Sequence, residues 1–221
     1  MPVRAAAYRV GKKLIGAVPS WALRARPMSV FEVTLADRQS GAATRTSEHQ
    51  EPIDGERIGW VDSAEEAVAL GPLAAEVNRL AWNDETCRVA AVWSQDQPTG
   101  CLWVARGAYE ETDLGLRIEL AADEAWLFAA AVVPSRRREG VYRRLFDFVL
   151  TDLASAGTRR ALLAATWGNR ASRVAHLRFG ARQIGGIAAV RALGVAILLP
   201  RGAVQRRGSP LACRAVSMRV A

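Results

Sequence analysis

Lysine is almost missing from this 221-residue sequence: of its 30 basic residues, only Lys12 and Lys13 are not arginine. Histidine is as scarce, with His49 and His176 alone. Three cysteines, Cys87, Cys101 and Cys213, are too few and too far apart for a zinc site or a disulfide framework. No run of about 18 apolar residues occurs, which argues against a membrane-spanning helix. Met1–Ser20 lacks the continuous apolar stretch of a secretory signal, so a cytoplasmic location is expected. Collagen, coiled-coil and small disulfide scaffolds are excluded, and no internal repeat is present. What remains is half hydrophobic and 24% charged. That is enough to bury one sizeable core, so one domain with appendages is expected.

Charge is unevenly placed. Residues 1–125 hold 13 basic and 19 acidic groups, net −6, whereas residues 126–221 hold 17 and 3, net +14. A basic half calls for an anionic ligand: phosphates, nucleic acid or a membrane face. Aromatic residues are not interleaved with the arginines as in a stacking platform, and no nucleic-acid partner is expected.

Val3, Ala6, Ala7, Val10, Leu14 and Val18 recur at helical spacing with Arg4, Arg9, Lys12 and Lys13 between them. Residues 1–27 therefore read as a basic amphipathic segment that can pack on a partner or lie on an anionic membrane surface. Met28–Leu35 alternates as a strand, and residues 36–57 read as a polar flexible loop. Ser63 with Glu66 marks a helix start, and Gly71-Pro72 breaks that helix. Arg88–Trp93 and Cys101–Ala105 form a hairpin around SQDQPTG, and Arg117–Leu120 is a short strand. Trp126–Val133 and Ala161–Thr166 are near-continuous apolar runs suited to covered central strands. Gly140–Ala156 and Asn169–Phe179 are helices stopped by Gly157 and Gly180. Arg182–Val190 and Val195–Leu199 form a closing hairpin, leaving residues 200–221 as a basic extension. The fold class is α/β with a mixed sheet, and the crossover from Trp126 to Thr166 is parallel and right-handed.

The chemistry concentrates in Val132–Arg144, VVPSRRREGVYRR. A buried strand runs through Pro134 and a run of arginines into Gly140, where a helix begins. Free N–H groups and the helix dipole favour a phosphate there, and Arg136, Arg137, Arg138, Arg143 and Arg144 surround the point. A pyrophosphate or nucleotide is the natural guest.

These residues resemble the acyl-CoA signature of the GNAT N-acetyltransferase superfamily, V-x-P followed by R-x-x-G-x-(G/A). Here it is Val132-Val133-Pro134, then Arg137-Arg138-Glu139-Gly140-Val141-Tyr142, with Tyr142 at the usual Gly or Ala. Downstream, NRASRVAHLRFGA is similar to the family's second helix: Asn169, Ser172 and Gly180 fall in register, and Ala181 replaces Phe. The resemblance covers Arg88–Leu199 and places the catalytic domain within residues 28–199. It implies a mostly antiparallel sheet flanked by helices, with a V-shaped split between two parallel central strands. Acetyl-CoA, or another acyl-CoA, would lie in the split against backbone at Ala131, Val132 and Val133. Its pyrophosphate would meet Arg137, Arg138, Glu139, Gly140, Val141, Tyr142 and Arg143, with Asn169 and Ser172 beside it. An N–H from Ala130–Val132 would polarise the thioester.

His176 stands where many members carry the Tyr that protonates the CoA sulfur, so it is the candidate general acid, with Tyr142 as the alternative. Glu124, just before the first central strand, is the candidate base, with Asp123, Glu119, Glu110 and Glu111 nearby. Trp60, Trp82, Trp93 and Trp103 are candidates for an acceptor pocket. No metal ligand set is expected. The activity implied is direct transfer of acetyl to a primary amine. The alternative is a CoA-binding sensor of the same fold that has lost catalysis. The acceptor stays open between a cationic small-molecule or peptide amine and a membrane-associated one, and pairing as a homodimer also stays open.

Overall fold

Six consecutive residues of the amino-terminal strand, Met28–Val33, are buried, although the sequence alternates there only loosely. The cause is that this strand, β1 (Leu23–Thr34), is covered on both faces and both edges. The computed structural model describes residues 23–35, 55–74, 82, 86–111, 114–193, 195–207, 211–212 and 216–220. Within these follow β2 (Glu56–Trp60), α1 (Ala64–Leu70), β3 (Cys87–Ser94), β4 (Gln97–Ala105), β5 (Ala108–Glu111), β6 (Leu116–Glu119) and β7 (Glu124–Val132). Then come α2 (Val141–Ser155), β8 (Arg160–Thr166), α3 (Arg170–Arg178), β9 (Arg182–Ala192), β10 (Val195–Gly202), β11 (Val204–Arg207), β12 (Leu211–Ala212) and β13 (Val216–Val220).

Nine strands form one sheet in the order β12-β10-β9-β1-β8-β7-β4-β3-β2. Only β7 and β8 run parallel in it, joined through α2. β1 is threaded antiparallel between β8 and β9, with Phe31 opposite Leu163 on one side and Gln183 on the other. Side chains of adjacent residues go to opposite faces. Phe31, Leu127 and Leu163 therefore join Val141, Leu145, Phe146, Val149 and Leu153 of α2 in one core. Val30, Trp126 and Leu162 face a second core closed by a smaller sheet, β11-β13-β6-β5. α1 covers the third, made of Val89, Ala91, Trp93, Cys101 and Trp103.

Four expectations change. The strand assigned to Met28–Leu35 starts five residues earlier and contains Pro27, and the loop assigned to residues 36–57 ends before Glu56 and Arg57, which open β2. Residues 36–54, and 1–22 of the amphipathic segment, lie outside the described residues. The carboxyl-terminal extension is no appendage: β13 pairs parallel with β6, and Val204, Met218 and Val220 are buried. SQDQPTG also shrinks to a two-residue turn at Gln95-Asp96, both at positive φ (50° and 61°), the twist that a tight hairpin prefers.

The helices keep their sequence-read limits for local reasons. Ser63 Oγ accepts from Glu66 N–H at the start of α1. Gly157 (φ 82°) and Gly180 (φ 86°) follow α2 and α3. Gly100 of β4 makes room for α2: a Cβ there would stand 2.9 Å from Val141 Cγ1. The first turn of α2 thus sits directly on the end of the sheet. Among the described residues, no helix is long and apolar enough to cross a membrane.

Candidate active site

β7 and β8 are in register from Glu124–Arg160 to Leu127–Leu163, and there the pairing stops. Beyond that point β8 stays with β1 through Thr166, and β7 stays with β4 through Val132. The strands part because β7 bulges: its register against β4 shifts between Phe128 and Ala131, and Ala129 takes φ 46°. The predicted split is therefore present, with Phe128–Val132 forming its β7 wall. Ala130 is exposed and Ala131, Val132 and Val133 are half-buried. The β8-facing edge of this wall is released from strand pairing, although Val133 N–H donates to Thr99 O at 2.9 Å, and released groups call for a partner. A ligand bearing its own amides is chemically suited to it.

The wall leads into the arginine loop. Pro134–Arg136 make a single 3-10 turn, Arg138 adopts φ 74°, and Gly140 (φ 76°, ψ 1°) precedes α2. A positive φ at residue 140 suits glycine, which has no Cβ to clash. No side chain caps α2, so its first-turn N–H groups remain for an anion, with the 15-residue helix dipole behind them. The loop and helix start thus suit a diphosphate, as read from the sequence.

The arginines do not all share that role. Arg136 Nη2 and Arg144 Nη2 each donate at 2.7 Å to Glu56, one to each carboxylate oxygen. The Glu56 side chain is 1% exposed and that of Arg144 8%. Arg136 Nε also lies 2.6 Å from the Glu139 carboxylate, and Arg144 Nη1 donates to the Glu139 carbonyl at 2.8 Å. Arg137, Arg138 and Arg143 stay exposed, Arg137 Nε donating to Val132 O at 3.2 Å. Glu56 was missed because it sits in a polar stretch. The available signal was a cluster of five arginines with a single acid, Glu139, among them.

His176 is buried at 4% exposure on the inner face of α3, its ring against Phe31 and Phe146. Nε2 is 2.8 Å from Ser172 Oγ and Nδ1 is 3.5 Å from Tyr142 Oη. Asn169 caps α3 by accepting from Ser172 N–H at 3.0 Å, so this pair builds the helix start. The two candidate acids, Tyr142 and His176, are brought together with Ser172 as one chain. Burial pushes the His176 pKa down to about 4, and burial raises that of Tyr142. Both are therefore uncharged near neutrality, and His176 is not the acid of ordinary pKa that its sequence position suggests.

This burial has a sign in stability. Unfolded His176 takes up a proton below about pH 6.5, while the buried ring refuses it until about pH 4. Between those values the unfolded chain binds more protons, so stability falls as pH falls, by roughly 3 kcal/mol in all. His176→Phe should flatten that part of the Tm-against-pH curve. Parallel curves for the two proteins would contradict the assignment.

Glu124 does not lie at the split. It opens β7 at the closed end of the parallel pair, 1% exposed, accepting from Arg160 Nε at 2.7 Å and from Ala121 N–H at 2.8 Å. A carboxylate so enclosed fixes Arg160 and the β7–β8 register, which removes it as the candidate base. Asp123 is held by Arg159, whose hydrogen bond lowers its pKa, and Glu110 by Arg117 at 2.6 Å. Nor do the tryptophans form one pocket: Trp60 packs on the α2 face, Trp93 and Trp103 on the opposite one.

No family model matches the sequence, and no curated protein matches it. Solved structures do. A protein from Novosphingobium aromaticivorans assigned to the GNAT acetyltransferases is 15% identical with a TM-score of 0.50 over 76% of this chain. A Drosophila protein is 12% identical with a TM-score of 0.51 over 84%. The Escherichia coli ribosomal-protein-S18-alanine N-acetyltransferase is 16% identical with a TM-score of 0.45 over 57%. The matches take in 66%, 57% and 76% of those chains. At such identity the likeness speaks for the fold, and it agrees with the split sheet and the uncapped helix: the chain has the fold of the GNAT acetyltransferases.

Proposed function

We propose that this chain is an acyl-CoA-dependent N-acyltransferase that moves acetyl from acetyl-CoA to a primary amine by direct attack. One observation carries the reading: the released β7 edge at Phe128–Val132 ends beside the uncapped start of α2. An extended amide-bearing arm and a diphosphate can thus be met by backbone groups of one continuous segment. The bound thioester supplies an activated acyl group. Ala131, Val132 and Val133 orient the arm. An N–H of Ala130–Val132 polarises the thioester carbonyl, a contribution worth about 2.7–4 kcal/mol per donor in comparable sites. N–H groups of residues 138–143 hold the diphosphate, and exposed Arg137, Arg138 and Arg143 add charge around it. The Ser172–His176–Tyr142 chain gives a proton to the departing sulfur and regains one from solvent, to which the acylated amine loses its own. Neutral His176 takes a proton on one nitrogen as it gives one from the other.

Release of free thiol from acetyl-CoA on adding primary amines, polyamines and basic peptides among them, tests this. Amine-dependent thiol release is expected. Tight acetyl-CoA binding without release by any amine would overturn the transferase reading and leave a CoA-binding sensor.

A further inference from the structure

The proposed phosphate loop is not shaped by its own residues alone. Glu56, eighty residues away in sequence from Arg136, touches both flanks of the loop. On the near side it holds Arg136, at the end of the 3-10 turn, and Arg136 Nη1 also reaches Ser94 Oγ at 3.5 Å. On the far side it holds Arg144, in the first turn of α2, whose other nitrogen donates to the Glu139 carbonyl. In a planar trans peptide the C=O and the next N–H point to opposite sides. Pinning the Glu139 carbonyl toward Arg144 therefore turns the Gly140 N–H to the other side of the peptide, away from the arginine. Without the clamp that peptide, flanked by positive φ at Arg138 and Gly140, can rotate and present its carbonyl oxygen to an anion.

Burial alone is weak ground for reading this cluster as a stability device. Buried ion pairs are often replaceable by apolar groups at no loss, because desolvation offsets their attraction. Two arginines beside a phosphate loop would also serve an anion better if left free. Here half of their charge is offset by the almost wholly enclosed Glu56 carboxylate, and Glu139 lies against Arg136 as well. Geometry, rather than net charge, is what the arrangement preserves.

We propose that Glu56 is a positioning residue for diphosphate recognition: through Arg136 and Arg144 it fixes the Glu139–Gly140 peptide in the orientation that donates to the ligand. The inference rests on the acyl-CoA reading above. It assigns to the edge strand β2 a part in cofactor selection, setting how strongly the site distinguishes coenzyme A from the same arm without its nucleotide.

The test is calorimetric titration of wild-type, Glu56→Gln, Glu56→Asp and Arg144→Lys proteins with coenzyme A and with pantetheine. Far-UV circular dichroism and Tm are recorded for each. Glu56→Gln keeps shape but weakens both charged hydrogen bonds, and Arg144→Lys keeps charge but loses the two-pronged donor. Both should bind coenzyme A at least tenfold more weakly, with pantetheine affinity within twofold of wild type, and Glu56→Asp should recover part of the loss. Equal weakening for both ligands would overturn the proposal and make Glu56 merely structural, as would unchanged or tighter coenzyme A binding in folded variants. If Glu56→Gln does not fold, Arg144→Lys decides by the same criteria. No coenzyme A binding by the wild type would instead sink the acyl-CoA reading, and the clamp's assigned role with it.

Discussion

Gly140→Asp should weaken coenzyme A binding at least a hundredfold while leaving the protein folded. Two effects add at this position. The backbone there has φ 76°, which costs an L-residue of the order of 1–2 kcal/mol. The new carboxylate would also stand at the start of α2, where the helix dipole and free N–H groups attract negative charge. A side chain held in place competes with the ligand for those donors and repels its phosphates. A hundredfold loss corresponds to about 2.7 kcal/mol, within reach of charge opposition and lost N–H donors together. Gly140→Ala isolates the strain and should lose far less affinity. If the aspartate variant binds as well as wild type, the start of α2 is not where the diphosphate lies.

Removing the Glu124 carboxylate should have a large effect of the opposite kind. Glu124→Ala leaves Arg160 without its enclosed partner, and loss of one member of a buried pair costs about 3–5 kcal/mol. Arg160 keeps some solvent, at 28% exposure, and lies 3.7 Å from Glu32, so the lower end applies. For a chain of this size that is a fall in Tm of roughly 6–12 °C. Turnover measured well below the transition should stay within about threefold of wild type. Unchanged Tm with collapsed turnover would restore Glu124 as the base.

The readable part of this protein was its local part. β7, α2, β8 and α3 all fall within two residues of their sequence-read limits, because apolar runs, Asn169 and the stop glycines act on their neighbours. The arginine loop between β7 and α2 was legible for the same reason. Long-range placement was not. Nothing in Leu23–Thr34 says that it pairs with both β8 and β9, and nothing in the basic tail says that β13 pairs parallel with β6. Glu56 shows the limit most sharply. Its partners are 80 and 88 residues away, and one acid among several in a polar stretch carries no period or motif. His176 was found by register, but its lowered pKa depends on Phe31 and Phe146, which no spacing brings beside it.

Under the proposed function, the Tyr142–His176–Ser172 chain accommodates a residue outside the usual pattern. Tyr142 stands where the resembled motif has Gly or Ala, and His176 where it often has Tyr. The structure places the hydroxyl of the first against the ring of the second. A phenol is thus retained near that position, though contributed by α2 instead of α3.

In the proposed function, the split of β7 from β8 and the uncapped start of α2 form one acyl-CoA site. Isothermal titration of the intact protein with acetyl-CoA tests it most directly. Saturable binding at one site per chain is expected, lost in an Arg138→Ala/Gly140→Asp double variant that keeps its fold. No heat of binding from the intact protein at millimolar acetyl-CoA, or undiminished binding by the double variant, would contradict it.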